Sequence, residues 1–538
     1  MAYRPSLDPA LYVSASTDVD AALMRRMAEQ DVAPEPTDAR KPRITLVVPP
    51  SPFSMPRGWE FFLTSPYEGV TYIGTVLHNA GFPVRIIDVR YDRTPLETAL
   101  AAIEHDTDVI GLATYEDCYP FLEDFIATAK ARRPEVPIIL GGSLVTSVPH
   151  VFMAETQADV AVISEGELTI LEVMDAYVRD GWESSLATIR GIWYRDAHGA
   201  VTRNPARGQM PNLDSLPRMR LDLWPQSRDA RGLQPQIIAS YSRGCKMDCS
   251  FCYRTTPQER VKSPAILDRD LRWMKQQYGT EFVFFVDLTF TAHKPQTLEY
   301  LDVIGQYKLG WTCLTRNADV DTEVTRRMGE TGCDIALFGV ESLGKEALKG
   351  ARKGSTENLV LKAMRHSAEG GIRYGGLTIV GLPGETEESL DHMSEWAEAN
   401  QHITRVKYLS AMPGTTVYHD GLAKGHIRSE VDHLRWLAIE QALERDEFLN
   451  YNGLPEDVMR RAYRRIYDSY CPGPVMDFKH FPEHFAYFDP DDHTGKAWRR
   501  DFSSAGAHAV PGSEIWRGYR PAGEGITLTG PVRPAAHV

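Results

Sequence analysis

The sequence predicts two α/β domains in tandem, a doubly wound Rossmann-like sheet and then a partial (β/α)6 barrel, followed by a helical C-terminal region. Two alternating series of apolar runs and helical stretches carry this reading, one over residues 41–190 and one over 233–425. Between them, 191–232 holds several prolines and no clear period, which reads as a linker. At 538 residues the chain has room for about three to four units of roughly 150 residues.

Residues 1–40, with Pro5, Pro9, Pro34 and Pro36, read as an N-terminal arm holding one short helix at 21–29. The first series places buried strands at 44–48, 84–89, 108–114, 136–142 and 159–164, with helices near 70–80, 95–105, 120–133 and 146–156. Ligands of such sheets bind beyond the carboxyl ends of the strands, where this chain has Thr114-Tyr115, Gly141-Gly142-Ser143 and Glu165-Gly166. The second series places strands at 236–242, 282–288, 311–316, 334–342, 375–383 and 405–412. Six units are fewer than a closed eight-unit barrel needs, so an open one is expected. Residues 426–490 form the C-terminal helical domain, with Arg460, Arg461, Arg464 and Arg465 on solvated faces, and 491–538 read as a loop-rich tail.

Lys plus Arg number 59 against 73 Asp plus Glu, a net charge of −14, which argues against nucleic acid as the main partner. The longest apolar runs fall far short of the ~20 residues of a membrane helix. Seven cysteines are too few for a disulfide scaffold in a chain this long. A cytoplasmic, soluble protein is expected.

Three of those cysteines, Cys245, Cys249 and Cys252, stand in S-R-G-C-K-M-D-C-S-F-C-Y on the loop after a predicted strand. Thiolates hold iron–sulfur clusters, and three ligands to a four-iron cubane leave one iron open. A zinc site wants four ligands, usually in paired C-x-x-C spacing, and no second pair is present. Cys118, Cys313, Cys333 and Cys471 are scattered and read as packing residues.

C-x-x-x-C-x-x-C after the first strand of a βα series resembles the radical S-adenosylmethionine (SAM) enzymes. Phe251 fills the aromatic slot before the last cysteine. Asp287 and Thr289 end the second strand, Arg316 the third, Glu341 and Ser342 the fourth. G-L-P-G-E-T, with Gly381 and Pro383, resembles the fifth-strand glycine motif. The resemblance implies a 4Fe–4S cluster on the three cysteines, with SAM contacts at those eight residues. It also implies an external reductant of the flavodoxin or ferredoxin type. An electron from the cluster would cleave SAM to methionine and a 5′-deoxyadenosyl radical.

The front series, with G-V-T-Y-I-G, I-L-G-G and S-E-G-E-L-T, resembles the cobalamin-binding domain of the class B members of that family. This implies cobalamin near Tyr67, Gly69, Tyr72, Thr114, Tyr115, Gly141, Gly142, Ser143, Glu165 and Gly166. The D-x-H-x-x-G string that supplies a histidine to cobalt elsewhere is absent, and His78, His105 and His150 read as surface or cap residues. Together the two resemblances imply C-methylation of an unactivated carbon of a small molecule through methylcobalamin, in specialised metabolism such as antibiotic biosynthesis. Ring closure, ring contraction or epimerisation on the same scaffold is the alternative. Tyr253 and Arg254 are catalytic candidates beside the cysteines, and Tyr408 and Tyr451 are substrate candidates. No phosphate-binding G-x-x-x-x-G-K-[ST] loop or G-x-S-x-G elbow occurs, so nucleotide hydrolysis and acyl transfer lack support.

Overall fold

The protein is described here by a computed structural model covering residues 18–30, 41–50, 65–182, 184–225, 236–256, 258–442 and 448–469, apart from positions 91 and 93. Helix α1 (Asp18–Gln30) precedes a sheet of β1 (Ile44–Val48), β2 (Val84–Asp88), β3 (Val109–Thr114), β4 (Ile138–Gly142) and β5 (Val160–Val162). These five strands are parallel, in the order β2-β1-β3-β4-β5. Parallel neighbours need crossover connections. Those are α2 (Glu68–Asn79), α3 (Pro95–Ile103), α4 (Tyr119–Arg132), and the pair α5 (Ser143–Ser147) and α6 (Pro149–Glu155), with α7 (Glu167–Asp180) after β5. The single helix expected at 146–156 is thus two, because Pro149 starts α6 and supplies no N–H to continue α5. Strand order reverses between β1 and β3, so the crevice of this sheet lies beyond their carboxyl ends, flanked by Tyr67 and Tyr115.

The stretch expected as a linker departs from that reading. β6 (Ile192–Arg195) and β7 (Val201–Arg203) form an antiparallel hairpin that continues the sheet past β5. A hairpin of four- and three-residue strands is too short to show a period. Met210, Leu213, Leu216, Met219, Leu221 and Trp224 are then buried in a core shared with the second sheet. Arg207 donates to Asp20 at 2.6 Å within that core, which docks α1 rather than leaving it as a free arm.

The second sheet is wholly parallel and runs in sequence order: β8 (Gln236–Ala239), β11 (Phe282–Phe285), β12 (Gly310–Thr315), β13 (Cys333–Glu341), β14 (Arg373–Val380) and β15 (Ile403–Tyr408). Its helices are α8 (Pro264–Tyr278), α9 (Lys294–Gly305), α10 (Thr322–Glu330), α11 (Lys345–Gly350), α12 (Glu357–Glu369), α13 (Glu387–Asn400) and α14 (Thr416–Ala423). Ser263, Asp321, Thr356, Thr386 and Thr415 start five of them, each side chain accepting a first-turn backbone N–H. A two-stranded antiparallel ribbon, β9 (Ser242–Arg243) with β10 (Arg260–Val261), stands at the carboxyl end of β8.

Two further helices close the structure, α15 (Glu430–Ala442) and α16 (Glu456–Asp468). α15 crosses back to the first domain, with Arg435 on Glu123 of α4 at 2.6 Å and Glu430 on His150 of α6 at 2.9 Å. α16 covers β15 and α13. Arg461 and Arg465, expected on solvated faces, reach Glu387 and Glu398 of α13 at 2.9 and 2.7 Å while staying partly exposed. Among the described residues no helix is long and apolar enough to cross a membrane. Cys471 and the tail at 491–538 lie outside the described residues.

Beside the crevice, Asp88 and Arg90 form a fully buried pair, with Nε–Oδ1 at 2.9 Å and Nη2–Oδ2 at 2.8 Å. The guanidinium lies 4.2 Å from the Tyr67 ring and 5.3 Å from that of Trp224. Asp88→Ala, which strips the carboxylate from this cation, is expected to cost about 3–5 kcal/mol. The loss reads as a lower urea midpoint, and replacing both residues with apolar ones is expected to lose less.

Candidate active site

The three cysteines sit on the excursion between β9 and β10. Gly244 enters it at φ +83°, and a Cβ there would lie 2.0 Å from the Gln258 carbonyl oxygen, just before the returning strand β10, so only glycine fits. The loop is held by its backbone: Ser250 N–H donates to Ala351 O at 2.9 Å and Cys252 N–H to Cys249 O at 3.2 Å. Arg254, expected as catalytic, instead spends its guanidinium on this loop, donating to the carbonyls of Cys245 (3.2 Å) and Met247 and to Asp248. It positions the thiols.

All three thiols are free of disulfides, Cys245 buried and the other two half-buried. Burial pushes the Cys249 thiol up and that of Cys252 to about 12. Metal uptake therefore has to displace the protons of these two thiols. Among the described residues no three His, Cys, Asp or Glu groups close around one point as a single-ion site would. A cubane takes each thiolate on a different iron, so its ligands stand wider apart than those of one ion. The donor set fits a cluster.

The residues expected to contact SAM divide into two groups. Thr289 Oγ1 lies 4.0 Å from Cys245 Sγ. Arg316, paired with Asp319 at 3.2 Å, lies beside Gly354 and the cysteine loop. Glu341 is aimed by a register shift in β13 and a left-handed backbone at φ +62°. Its Oε1 meets Lys353 Nζ at 2.7 Å, and the ammonium lies 6.0 Å from the Phe251 ring centroid. The space for this ion pair exists because residue 339 is glycine: a Cβ there would lie 2.4 Å from both partners.

The others serve the scaffold. Asp287 Oδ1 accepts from the backbone N–H groups of Tyr241 and Ser242 at 3.1 and 2.6 Å, which braces the foot of the cysteine excursion. Gly381 is closed off, since a Cβ would meet Met459 Cε of α16 at 2.7 Å, and Pro383 packs against Gly350. Ser342 Oγ accepts from Gly344 N–H at 3.0 Å. Tyr408 is stacked between Phe448 and Tyr463, at 4.2 and 4.4 Å, and the Tyr451 ring lies against His426. Both are packing residues here.

In the first domain, Gly69 and Gly141 border open space, with nothing within 4 Å of an added Cβ. Gly142 is exposed and Ser143 half-buried beside them. Tyr67 and Tyr115 meet edge to face at 5.0 Å across the switch point, and burial pushes the Tyr67 phenol up to about 12. Without side chains at Gly69 and Gly141, a large ligand can approach the backbone closely. Four expected contacts are turned elsewhere. Tyr72 is fully buried and accepts from Lys262 Nζ at 2.8 Å. Thr114 is also fully buried, and its Oγ1 accepts from Val145 N–H at 3.0 Å. Gly166 packs against Ile73. Glu165 is claimed by Arg243 and by Arg260.

The two halves meet at this place. Ser147 of α5 donates to the Tyr253 hydroxyl at 3.3 Å, one residue beyond Cys252, and a Cβ on Gly414 would touch Ser147 at 3.5 Å. Sequence reasoning missed Lys353, Glu385, Arg243 and Arg260. Glu385 Oε2 accepts from Gly381 and Leu382 N–H at 2.6 and 3.2 Å, and the E of G-L-P-G-E was its signal. Arg243 stands in the cysteine string itself, as the R of S-R-G-C, while Lys353 and Arg260 are cations with no motif of their own.

Comparisons with known proteins agree with this division. The family model of the Radical SAM superfamily matches residues 239–397, and that of the B12 binding domain matches residues 64–174. An uncharacterized methyltransferase of Pyrococcus horikoshii is 25% identical over 453 residues, covering 83% of this chain and 96% of that one. The hopanoid C-3 methylase of Methylococcus capsulatus is 24% identical over 375 residues, covering 65% of this chain and 68% of its own. The radical S-adenosylmethionine methyltransferase TsrM of Kitasatospora setae, solved with cobalamin and a 4Fe–4S cluster bound, superposes with a TM-score of 0.56. It is 18% identical and covers 72% of this chain and 78% of its own, a likeness of fold.

Burial pushes the carboxyls of Asp287 and Glu385 up to about 7. An acid whose folded pKa is raised binds its proton more tightly in the folded state, so what these two groups contribute to stability falls as pH rises from about 4 to 7 and then levels off. Asp287→Asn is expected to flatten part of that fall in a series of thermal midpoints from pH 5 to pH 8.

Proposed function

Because the chain belongs to the cobalamin-dependent radical SAM enzymes, we propose that it methylates a carbon of a small-molecule substrate in the gap between the cysteine loop and the glycine-lined rim. The observation that supports this reading is the contact of Ser147 with Tyr253, which brings the end of α5 in the first domain beside the residue that follows Cys252. The Methylococcus relative, a C-3 methylase by name, supports carbon as the acceptor. An external reductant of the flavodoxin or ferredoxin type and a substrate of specialised metabolism complete the proposal.

When bound, the cluster and SAM supply a 5′-deoxyadenosyl radical and the corrin supplies the methyl group. The chain's own residues orient and enclose. Cys245, Cys249 and Cys252 hold the cluster, and Arg254 fixes their loop through its carbonyls. Thr289, Arg316 and the Glu341–Lys353 pair line the thiol side, where an amino acid's charged groups find both signs of charge. Gly69, Gly141, Gly142 and Ser143 leave the rim clear for the corrin and its nucleotide tail. Tyr253 stands between the two groups. Its buried phenol is held neutral at working pH, because burial and nearby Glu116 raise its pKa, and it is placed to exclude water and to contact substrate.

The test is anaerobic reconstitution with iron, sulfide and hydroxocobalamin, followed by metal analysis and a screen for products one methyl group heavier. Roughly four irons and one cobalt per chain are expected. Iron without cobalt, or products that are isomers or ring-closed, would overturn methylation. Replacing Cys245, Cys249 and Cys252 together with Ala is expected to remove both cluster absorption and 5′-deoxyadenosine formation. Gly141→Leu, which puts bulk into open space, is expected to weaken hydroxocobalamin binding and leave cluster absorption unchanged. Gly142 is a poorer probe, since a Cβ there strikes Thr114 O at 2.5 Å.

A further inference from the structure

Glu165 lies on the loop between β5 and α7, at the carboxyl end of the first sheet. Its position suits a ligand of the crevice, but its carboxylate is turned away from it. Oε1 accepts from Arg243 Nη1 at 3.2 Å and Arg260 Nη2 at 2.8 Å, and Oε2 accepts from Arg260 Nη1 at 2.8 Å and Met210 N–H at 2.7 Å. Arg243 and Arg260 are cross-strand partners in the ribbon from which the cysteine excursion rises, with Cys245 two residues beyond Arg243. One carboxylate therefore holds both feet of that excursion.

The same loop is tied to the crevice rim. Ser164, in a left-handed conformation at φ +68°, donates its N–H to Thr146 Oγ1 at 3.0 Å. Thr146 Oγ1 donates in turn to Gly142 O at 2.7 Å. An unbroken series of hydrogen bonds and backbone runs from Gly142 through Thr146, Ser164 and Glu165 to the ribbon and Cys245. Neighbouring charges fix its angle: Arg243 Nη2 meets Glu167 at 2.5 Å, and Glu68 accepts from Ser240 Oγ at 2.8 Å. Burial raises the cost of the Glu165 charge, but Arg243 and Arg260 outweigh it and hold the carboxyl below its usual range. The charge is thus kept throughout the neutral range.

We propose that Glu165 is a positioning residue that locks the cysteine excursion to the crevice rim, so that filling the cluster site and binding a corrin reinforce each other. The inference rests on the two-cofactor reading above. A loaded cluster orders the excursion, the ribbon passes that order to Glu165, and the Ser164–Thr146–Gly142 contacts meet the corrin already arranged. A ligand that finds its site ordered loses less conformational entropy on binding. Such coupling between two sites is reciprocal and typically amounts to about 5–150-fold in affinity.

The experiment measures the dissociation constant of hydroxocobalamin anaerobically by absorption, on full-length protein with the cluster reconstituted and on the same protein stripped by chelator. Wild type is expected to bind at least about fivefold more tightly with the cluster present, the lower end of such coupling. Glu165→Gln, of the same shape, is expected to keep the affinity of the stripped wild type and to lose most of the cluster-dependent gain. Arg260→Gln, which leaves the Arg243–Glu167 pair standing, is expected to reduce the gain too and serves if the first variant does not fold. Equal affinities in the two forms of wild type, or a full gain in both variants, would overturn the inference while leaving the two-cofactor reading intact. A Glu165→Gln variant weakened equally in both forms would overturn it in favour of a direct corrin contact. Absence of any hydroxocobalamin binding by wild type would overturn the two-cofactor reading itself.

Discussion

The structure depends on a seam of buried charges between its two sheets. The first domain contributes Glu68, Glu165 and Glu167; the ribbon and its flank contribute Arg243, Arg260 and Lys262. Taking a carboxylate or a guanidinium out of water costs several kcal/mol, and attraction offsets this only when geometry is good and the other lone pairs are bonded. A rotation of one domain by a few degrees would leave several of these groups desolvated and unmatched. The seam therefore specifies a relative orientation more than it adds stability. Glu68 and Glu167 each open a helix, where the positive end of the helix dipole also favours a carboxylate.

Orientation matters here because the chemistry of this family is shared between two groups that belong to different domains. Each sheet presents its carboxyl ends, the part of an α/β sheet where loops can change without disturbing the core. Contact between the two domains there, as at Ser147 and Tyr253, brings residues of the first domain beside the cysteine loop of the second. There the protein uses local backbone irregularity to aim its side chains. The bulge at the end of β13 turns Glu341 toward Lys353, and the left-handed Ser164 turns the Glu165 loop toward the ribbon. Such conformations persist only where the surroundings over-determine them.

Much of this was legible in the sequence. Among the described residues, the eleven parallel strands announced themselves as apolar runs that alternate with helical stretches, because strands covered on both faces have no polar side to interrupt them. The cysteine loop was legible because few chemistries place three thiols in eight residues. The hairpin β6–β7 and the ribbon β9–β10 were not, since two to four residues carry no period and these, with Arg195, Arg203, Arg243 and Arg260, form no apolar run either. Individual contacts were read less well than elements. Tyr72, Thr114, Glu165 and Gly381 all stand in or beside motif strings, yet each is committed to packing or to an ion pair. A string shows that a loop matters without showing which way its side chains point, and on α2 the turn from Gly69 to Tyr72 carries the chain from open space into the seam.

α15 has a consequence of another kind. By returning from the second domain to grip α4 and α6, through Arg435–Glu123 and Glu430–His150, it makes the covalent chain a belt around the site. The domains are joined before the site by the strap at 207–224 and after it by this helix. Among the described residues, a broad ligand finds its open approach at Gly69 and Gly141. Loosening these two ion pairs would widen that approach, so the belt bears on how fast such a ligand could exchange, beside the strength of the contacts inside. In this fold the path of the chain, and not only the contacts at the site, governs access to it.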